Sequence, residues 1–304
     1  MQTNKSLKKS LTVFTPTYNR AYCLQQCYDS LLRQTSHDFL WLIIDDGSTD
    51  NTKELVKSWI QENKIKIQYH HQANQGMHGG HNAAYRLIET ELNVCIDSDD
   101  FMPDNAINDI INCWSHLKDK QGVAGIIGLD AYKNGEIIGQ NMPDLLKETS
   151  LEDLHYKHHV TGDKKLVLRT DVVKEFHPYY PIFPDERFVP LGTLYLLIDK
   201  HYKLACLNKV LCIVEYMEDG SSRNIIKQYR RHPKGFQYAR LLTIKYSKYV
   251  KVKFKNAIHL IAHSMQLKDW KVFTKTPNLG LTLLAAPFGI ILYAYVLYIN
   301  KVKS

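Results

Sequence analysis

Residues Asp97-Ser98-Asp99-Asp100 put three carboxylates into four positions, directly after the short apolar stretch Val94-Cys95-Ile96. That stretch reads as a buried strand, so the acids stand at a strand end. Carboxylates packed this closely repel one another, and a cation or cationic substrate between them relieves the repulsion. Hard oxygen ligands suit Mg²⁺ or Mn²⁺, which usually completes its shell with substrate phosphates. The run therefore predicts a metal-dependent site for a phosphorylated ligand; the plain alternative is a solvated acidic turn. A calcium loop fits poorly. An EF-hand takes Gly at its sixth position and Glu at its twelfth, and counting from Asp97 those places hold Met102 and Asn108.

Periodicity supplies the elements that must hold such a site. Strands are expected over 11–15, 40–44, 65–69 and 94–96, and helices over 22–34, 50–62 and 80–91. The second helix follows a Ser48/Thr49/Asp50 capping cluster. Such alternation implies a mostly parallel sheet covered by helices, and ligands bind beyond the carboxyl ends of its strands. Three polar motifs fall there: Pro16-Thr17-Tyr18-Asn19-Arg20, Asp45-Asp46-Gly47-Ser48-Thr49-Asp50 and the Asp97–Asp100 run. Further strands are expected over 123–129 and 204–214, with a helix near 188–200.

Composition is that of an ordinary globular protein, which excludes wholesale disorder. The net charge of +8 hides an asymmetry: residues 225–304 carry +14, with Asp269 their one acid, and residues 1–224 carry −6. The two parts face different partners. Six cysteines without a Cys-x-x-Cys pair point to reduced thiols in a cytosolic protein rather than zinc or disulfides. No His-Glu-x-x-His spacing occurs among the fourteen histidines. Residues 1–10 are polar and basic, unlike a signal peptide.

Taken together the motifs resemble glycosyltransferase family 2, the nucleotide-diphosphosugar transferases of the GT-A fold, over roughly residues 10–220. Phe14–Arg20 resembles the opening strand and nucleotide loop, and Asp45–Asp50 the second-strand signature. Residues 74–82, Asn-Gln-Gly-Met-His-Gly-Gly-His-Asn, are similar to the glycine-rich loop under the nucleotide, although Met77 and His81 depart from the basic or small residues usual there. Asp97–Asp100 is similar to the Asp-x-Asp metal motif. Thr161-Gly162-Asp163-Lys164 and Glu215-Tyr216-Met217-Glu218-Asp219-Gly220 resemble signatures of a subgroup that builds bacterial surface polysaccharides.

The resemblance implies an α/β fold: a Rossmann-like mixed, mostly parallel sheet flanked by helices, with a basic and apolar helical appendage. It implies a catalytic domain over 1–224 and a helical region over 225–304. Nucleotide-sugar binding then falls to Pro16, Tyr18, Asn19, Asp46, Gly76, His81 and Asp97, with Asp46 meeting the base, Tyr18 stacking on it and Asp97 meeting the ribose. Asp99 or Asp100 would hold Mn²⁺ or Mg²⁺, which stabilises the departing diphosphate. Inversion at the sugar needs a general base, and the resemblance offers Glu186 first and Asp185 second. Related sequences carry another acid where this chain has Leu191.

Residues 276–300 carry no charge, which is long enough to span a bilayer, but Pro287 and Gly289 interrupt them and lysines flank both sides. A bent re-entrant or interfacial segment that keeps both ends cytoplasmic is expected ahead of a full span, with a buried helix pair the plain alternative. The expectation is an inverting transferase at the cytoplasmic membrane face, taking a nucleotide sugar, UDP first, to a glycan or polyprenyl-diphosphate-linked acceptor, and not binding nucleic acid. The alternatives are a sugar-phosphate nucleotidyltransferase, or a nucleic-acid-binding protein using the basic C-terminus.

Overall fold

The computed structural model describes residues 9–215, 217 and 225–302. Of the two subgroup signatures, Tyr216 and residues 218–220 lie outside these, as do residues 1–8 of the basic N-terminus and Lys303. The described residues form two compact units, one from 9–179 and 201–217, the other from 180–200 and 225–302.

In the first unit β1 (Leu11–Thr17), β2 (Phe39–Asp45), β3 (Ile67–His71) and β4 (Leu92–Cys95) alternate with α1 (Ala21–Leu32), α2 (Thr52–Glu62) and α3 (Met77–Leu87). There follow α4 (Ala106–His116), β5 (Val123–Ala131), β6 (Glu148–Thr149), α5 (Leu151–Tyr156), β7 (Lys164–Arg169), α6 (Thr170–Lys174) and β8 (Lys203–Ile213). The eight strands make one sheet in the order β3-β2-β1-β4-β7-β5-β8-β6. β1 pairs in parallel with β2 and β4, β2 with β3, and β5 with β8. β7 runs antiparallel to both neighbours, β4 and β5.

Burial explains these elements. β2 is a nearly unbroken apolar run, as a strand covered on both faces should be. Its Trp41 is fully buried and lies near-parallel to Tyr28 of α1 and Trp59 of α2, which stack on each other at 4.4 Å between ring centroids. The Trp41 indole donates to Thr15 Oγ1 at 3.0 Å, which satisfies its one polar atom.

Three expectations shift. α3 begins at Met77, three residues before the anticipated start, because Gly76 holds a positive φ of 83° and turns the chain into the helix. The helix expected near 188–200 is confined to α7 (Gly192–Asp199). β7, which the sequence pattern does not mark as a strand, is buried by sheet pairing on both sides rather than signalled by alternation. α4 is likewise additional to the expected helices. All six cysteines are free thiols.

The second unit is helical: α7, α8 (Ile225–Arg231), α9 (Pro233–Tyr246), α10 (Val250–Leu267), α11 (Val272–Lys275) and α12 (Leu279–Val302). α12 contacts α10 through a buried stripe of Thr282, Ala285 and Gly289, spaced three and four residues apart. A Cβ on Gly289 would come within 2.5 Å of Ile261 Cβ, so the close approach requires glycine. Leu283, Leu284, Phe288, Ile290, Ile291, Tyr295 and Tyr298 remain exposed.

His263 of α10 is fully buried between Tyr229, at 3.9 Å, and Phe236, at 5.4 Å between centroids, and neither ring nitrogen has a partner among the described residues. Burial, with Arg240 and His259 nearby, pushes its pKa down to about 2. The folded state therefore refuses a proton that the unfolded chain accepts below about pH 6.5. Stability from this group is present above that pH and is lost as pH falls, by about 1.4 kcal/mol per pH unit. Thermal unfolding followed by circular dichroism at pH 7.5 and 5.5 should show a larger loss on acidification for the wild type than for His263→Phe, which keeps the ring packing.

Candidate functional site

The polar motifs gather at the edge formed by the carboxyl ends of β1, β2 and β4. Because β7 is reversed, its first residues lie at this edge too, beside the end of β5. Asp46 N–H donates to the Thr17 carbonyl at 2.8 Å, which ties the end of β1 to the end of β2. Asn19, at φ 53°, joins the two loops: its Oδ1 accepts from Thr49 N–H at 2.7 Å and its own N–H donates to Ser48 Oγ at 2.9 Å. Tyr18 is about half exposed, and Pro16 is partly buried. A Cβ on Gly80 would stand 3.0 Å from Pro16 Cβ, so α3 seats closely against β1.

Asp46 is buried, and its carboxylate accepts from the glycine-rich loop. Gly76 N–H donates to Oδ2 at 2.7 Å, Gln75 N–H to Oδ1 at 3.0 Å, and the Gln72 amide to Oδ1 at 2.7 Å. The residue expected to meet a base thus clamps the loop beneath it, and the Gly76 N–H is spent on that clamp. His81 is 1% exposed, its ring set edge-on against Phe14 and Tyr85, with Nδ1 at 3.1 Å from the Met77 carbonyl. Burial holds its pKa below the ordinary value. The structure uses it as a core residue under the loop.

Within the acidic run the three carboxylates differ. Asp97 and Asp99 are partly exposed, and the Gln26 side chain fixes the Asp99 carbonyl. Asp100 is buried: Glu215 N–H donates to its Oδ1 at 3.1 Å and the Cys212 thiol to its Oδ2 at 3.6 Å. Burial pushes its pKa up to about 7, with Lys165 opposing and Asp97 adding to the rise. The next residue, Phe101, bridges to Ile213 at the end of β8.

Behind the run lie two residues that the sequence motifs do not single out. Lys165 of β7 and Asp130 of β5 have side chains 14% and 5% exposed, with Nζ 4.0 Å from Oδ1. Burial works against the lysine's charge, but Asp130 first and then Cys212, Asp100 and Asp97 outweigh it and hold its pKa well above the usual value. Burial pushes Asp130 up. The adjacent basic pair Lys164-Lys165 after the Gly162 turn was the available signal, legible only once β7 is known to be a strand.

Among the described residues no group of three or more His, Cys, Asp or Glu side chains is arranged to hold a metal ion. The donor set fits the open kind of site, in which Mg²⁺ or Mn²⁺ takes one or two carboxylates and draws its other ligands from phosphate and water. Asp99, with Asp97 beside it, presents such oxygens; both oxygens of Asp100 are engaged inward.

In the second unit Glu186 is buried and spans the start of α9, accepting from Lys234 N–H at 2.8 Å and Gly235 N–H at 2.9 Å. A carboxylate there satisfies orphan donors and meets the positive end of the helix. Asp185 is exposed and paired with Lys234 Nζ at 2.6 Å, which lowers its pKa. Of the two acids expected as a base, only Asp185 keeps its carboxylate at the surface.

A parallel-edge α/β sheet with these loops defines a GT-A-type fold, and comparison with known proteins agrees. The profile described as "Glycosyl transferase family 2" matches residues 12–175. The chain belongs to glycosyl transferase family 2. It is 33% identical over 104 residues to an uncharacterized glycosyltransferase of Nostoc sp., covering 34% of this chain and 32% of that protein. It is 30% identical over 141 residues to the chondroitin synthase of Pasteurella multocida, covering 45% of this chain and 14% of that protein. The chain thus matches a third or less of these relatives' length. Among solved structures, Staphylococcus aureus TarS 1–349 in complex with UDP-GlcNAc superposes with a TM-score of 0.61 at 17% identity, covering 91% of this chain and 79% of that one. The mannosyltransferase PcManGT of Pyrobaculum calidifontis, in complex with GDP-Man and Mn²⁺, gives 0.54 at 16% identity, covering 97% and 84%. At these identities the likeness is one of fold.

The clamp predicts how Asp46→Ala should behave. Leaving a buried donor unmet costs about 1–3 kcal/mol, so thermal stability should fall and UDP binding weaken together. Unchanged stability with altered discrimination among nucleotide bases would instead put Asp46 on the base.

Proposed function

We propose that this chain is an inverting transferase that moves a sugar from a nucleotide-diphosphate sugar, a UDP-sugar first, to a glycan or lipid-linked acceptor in cell-surface polysaccharide synthesis. The observation that carries this reading is the meeting of three strand-end motifs, at residues 16–20, 45–50 and 97–100, on one sheet edge in a member of this family. The ligands of the structural neighbours, UDP-GlcNAc and GDP-Man with Mn²⁺, are of the same chemical class.

In this reading the half-exposed Tyr18 stacks on the base, and the loops pinned by Asn19 and Asp46 keep the site shaped before the donor arrives, which lowers the ordering cost of binding. Asp97 meets the ribose hydroxyls. Asp99 would hold Mn²⁺ or Mg²⁺, which when bound supplies charge neutralisation to the diphosphate as it leaves. Asp100 braces the run from behind through Glu215 and Cys212.

The test is release of nucleoside diphosphate from a panel of UDP- and GDP-sugars, with Mn²⁺ or Mg²⁺ and a membrane-lipid extract. Turnover of one donor is expected, and Asp99→Ala should lose it by at least about a hundredfold while keeping the thermal unfolding of the wild type. Full activity in excess chelator would remove the metal from the reading, and no turnover of any donor would remove the reading itself.

We further propose that the chain works at the cytoplasmic face of the membrane, with α12 lying in the interface. One stripe of this helix contacts α10 while its other apolar residues stay exposed, and the region carries a strong positive charge. That combination suits an anionic lipid surface. The protein should float with vesicles containing phosphatidylglycerol. Replacing Leu284, Ile290 and Ile291 with Ser, away from the stripe on α10, should leave it in the aqueous phase with donor binding intact. Flotation unchanged by these substitutions would rule out the helix as the contact.

A further inference from the structure

Lys165 is a largely buried cation whose side chain makes no hydrogen bond to another described residue. Its neighbour Lys164 spends its ammonium group on the carbonyls of Thr161, Gly162 and Asp163, at 2.9, 3.3 and 3.2 Å. Among the described residues Lys165 has no such partner: the ion pair to Asp130, at 4.0 Å, is longer than a hydrogen bond. Asp130 Oδ1 is likewise buried without a hydrogen-bond partner. The buried Asp130 oxygen is unmet, and the Lys165 ammonium stands just beyond hydrogen-bond reach of it, so one oxygen seated beside the pair can bond to both atoms at once. Each unmet group would otherwise carry a desolvation penalty.

The fold puts this pair at the working edge. Lys165 is the second residue of β7 and pairs with Gly128 of β5; Asp130 lies two residues beyond Gly128, on the same face of the sheet. Asp97 and Asp100 are among the charges that act on Lys165. The surroundings are acidic on balance, which disfavours a phosphate oxygen against Asp130. A hydroxyl is the group that accepts from an ammonium and donates to a carboxylate with one oxygen.

We propose that Lys165 and Asp130 form the donor-sugar end of the site, Lys165 Nζ donating to one ring hydroxyl of the bound sugar and Asp130 Oδ1 accepting from it. The inference rests on the nucleotide-sugar reading above and adds which residues recognise the sugar. A site that hydrogen-bonds a particular hydroxyl rejects an analogue lacking it strongly, because its own buried groups are then left unmet. The pair is thus a specificity device as well as an anchor.

Calorimetric titration of the full chain with UDP, with the UDP-sugar that the donor panel selects and with that sugar's monodeoxy analogues tests the assignment. Lys165→Met and Asp130→Asn should each weaken binding of the UDP-sugar by tenfold or more and leave UDP within twofold of wild type. The wild type should lose a similar factor for one monodeoxy analogue, and Lys165→Met should not distinguish that analogue from the parent sugar. Asp130→Asn, nearly the same size, carries the test if Lys165→Met fails to fold. Equal losses for UDP and UDP-sugar would assign the lysine to the acidic run or the diphosphate and overturn the inference. Lowered stability with unchanged affinities would reduce the pair to an ion pair bridged by water and would overturn it as well. A wild type that binds UDP but no sugar nucleotide would overturn the donor reading and this inference with it.

Discussion

Strand β7 runs against both of its neighbours, and the polar edge of the sheet depends on that reversal. Parallel strands alone would bring the ends of β1, β2 and β4 together. The inverted strand adds the start of β7 and the end of β5, and β8, parallel to β5, brings Cys212, Ile213 and Glu215 behind the acidic run. The edge therefore holds both signs of charge: Asp97, Asp100 and Asp130 act on the largely buried Lys165. Without that cation the buried acids Asp100 and Asp130 would lose a counter-charge where like charges repel more strongly than in water.

The first hundred residues were legible because their physics is local. β2 is apolar throughout, Asp50 caps the chain before α2 by accepting from Thr52, and the acids follow β4 directly. β7 escaped because its burial comes from partners on either side, 165–169 beside 92–94 and 125–129, which no pattern in Lys164–Arg169 announces. The site shows the same division. The sequence marked which residues are chemically able, but Asp46, His81, Asp100 and Glu186 are polar groups whose use is decided by what folds over them. Asp46 meets backbone N–H groups thirty residues on, and Glu186 meets those of a helix nearly fifty residues on. Lys165 looks like any surface lysine until both neighbouring strands are in place.

Two carboxylates, one in each unit, are used in the same manner. Asp46 gathers the N–H groups of the loop before α3, and Glu186 those at the start of α9. A charged acceptor buried against several backbone donors is held more firmly than a neutral one, so both local structures are set before any ligand arrives. Rigidity of this kind belongs to the scaffold of a binding site rather than to its chemistry.

The stripe of Thr282, Ala285 and Gly289 has a consequence for where the second unit can exist as a folded body. Contacts built from small residues derive from backbones lying close together, and dispersion at short range does not need water to be displaced. The pairing of α10 with α12 therefore adds this close backbone contact to the burial of larger apolar side chains such as Leu260 and Ile261. The backbone share of the contact would persist whatever surrounds the exposed face of α12, water or an apolar phase.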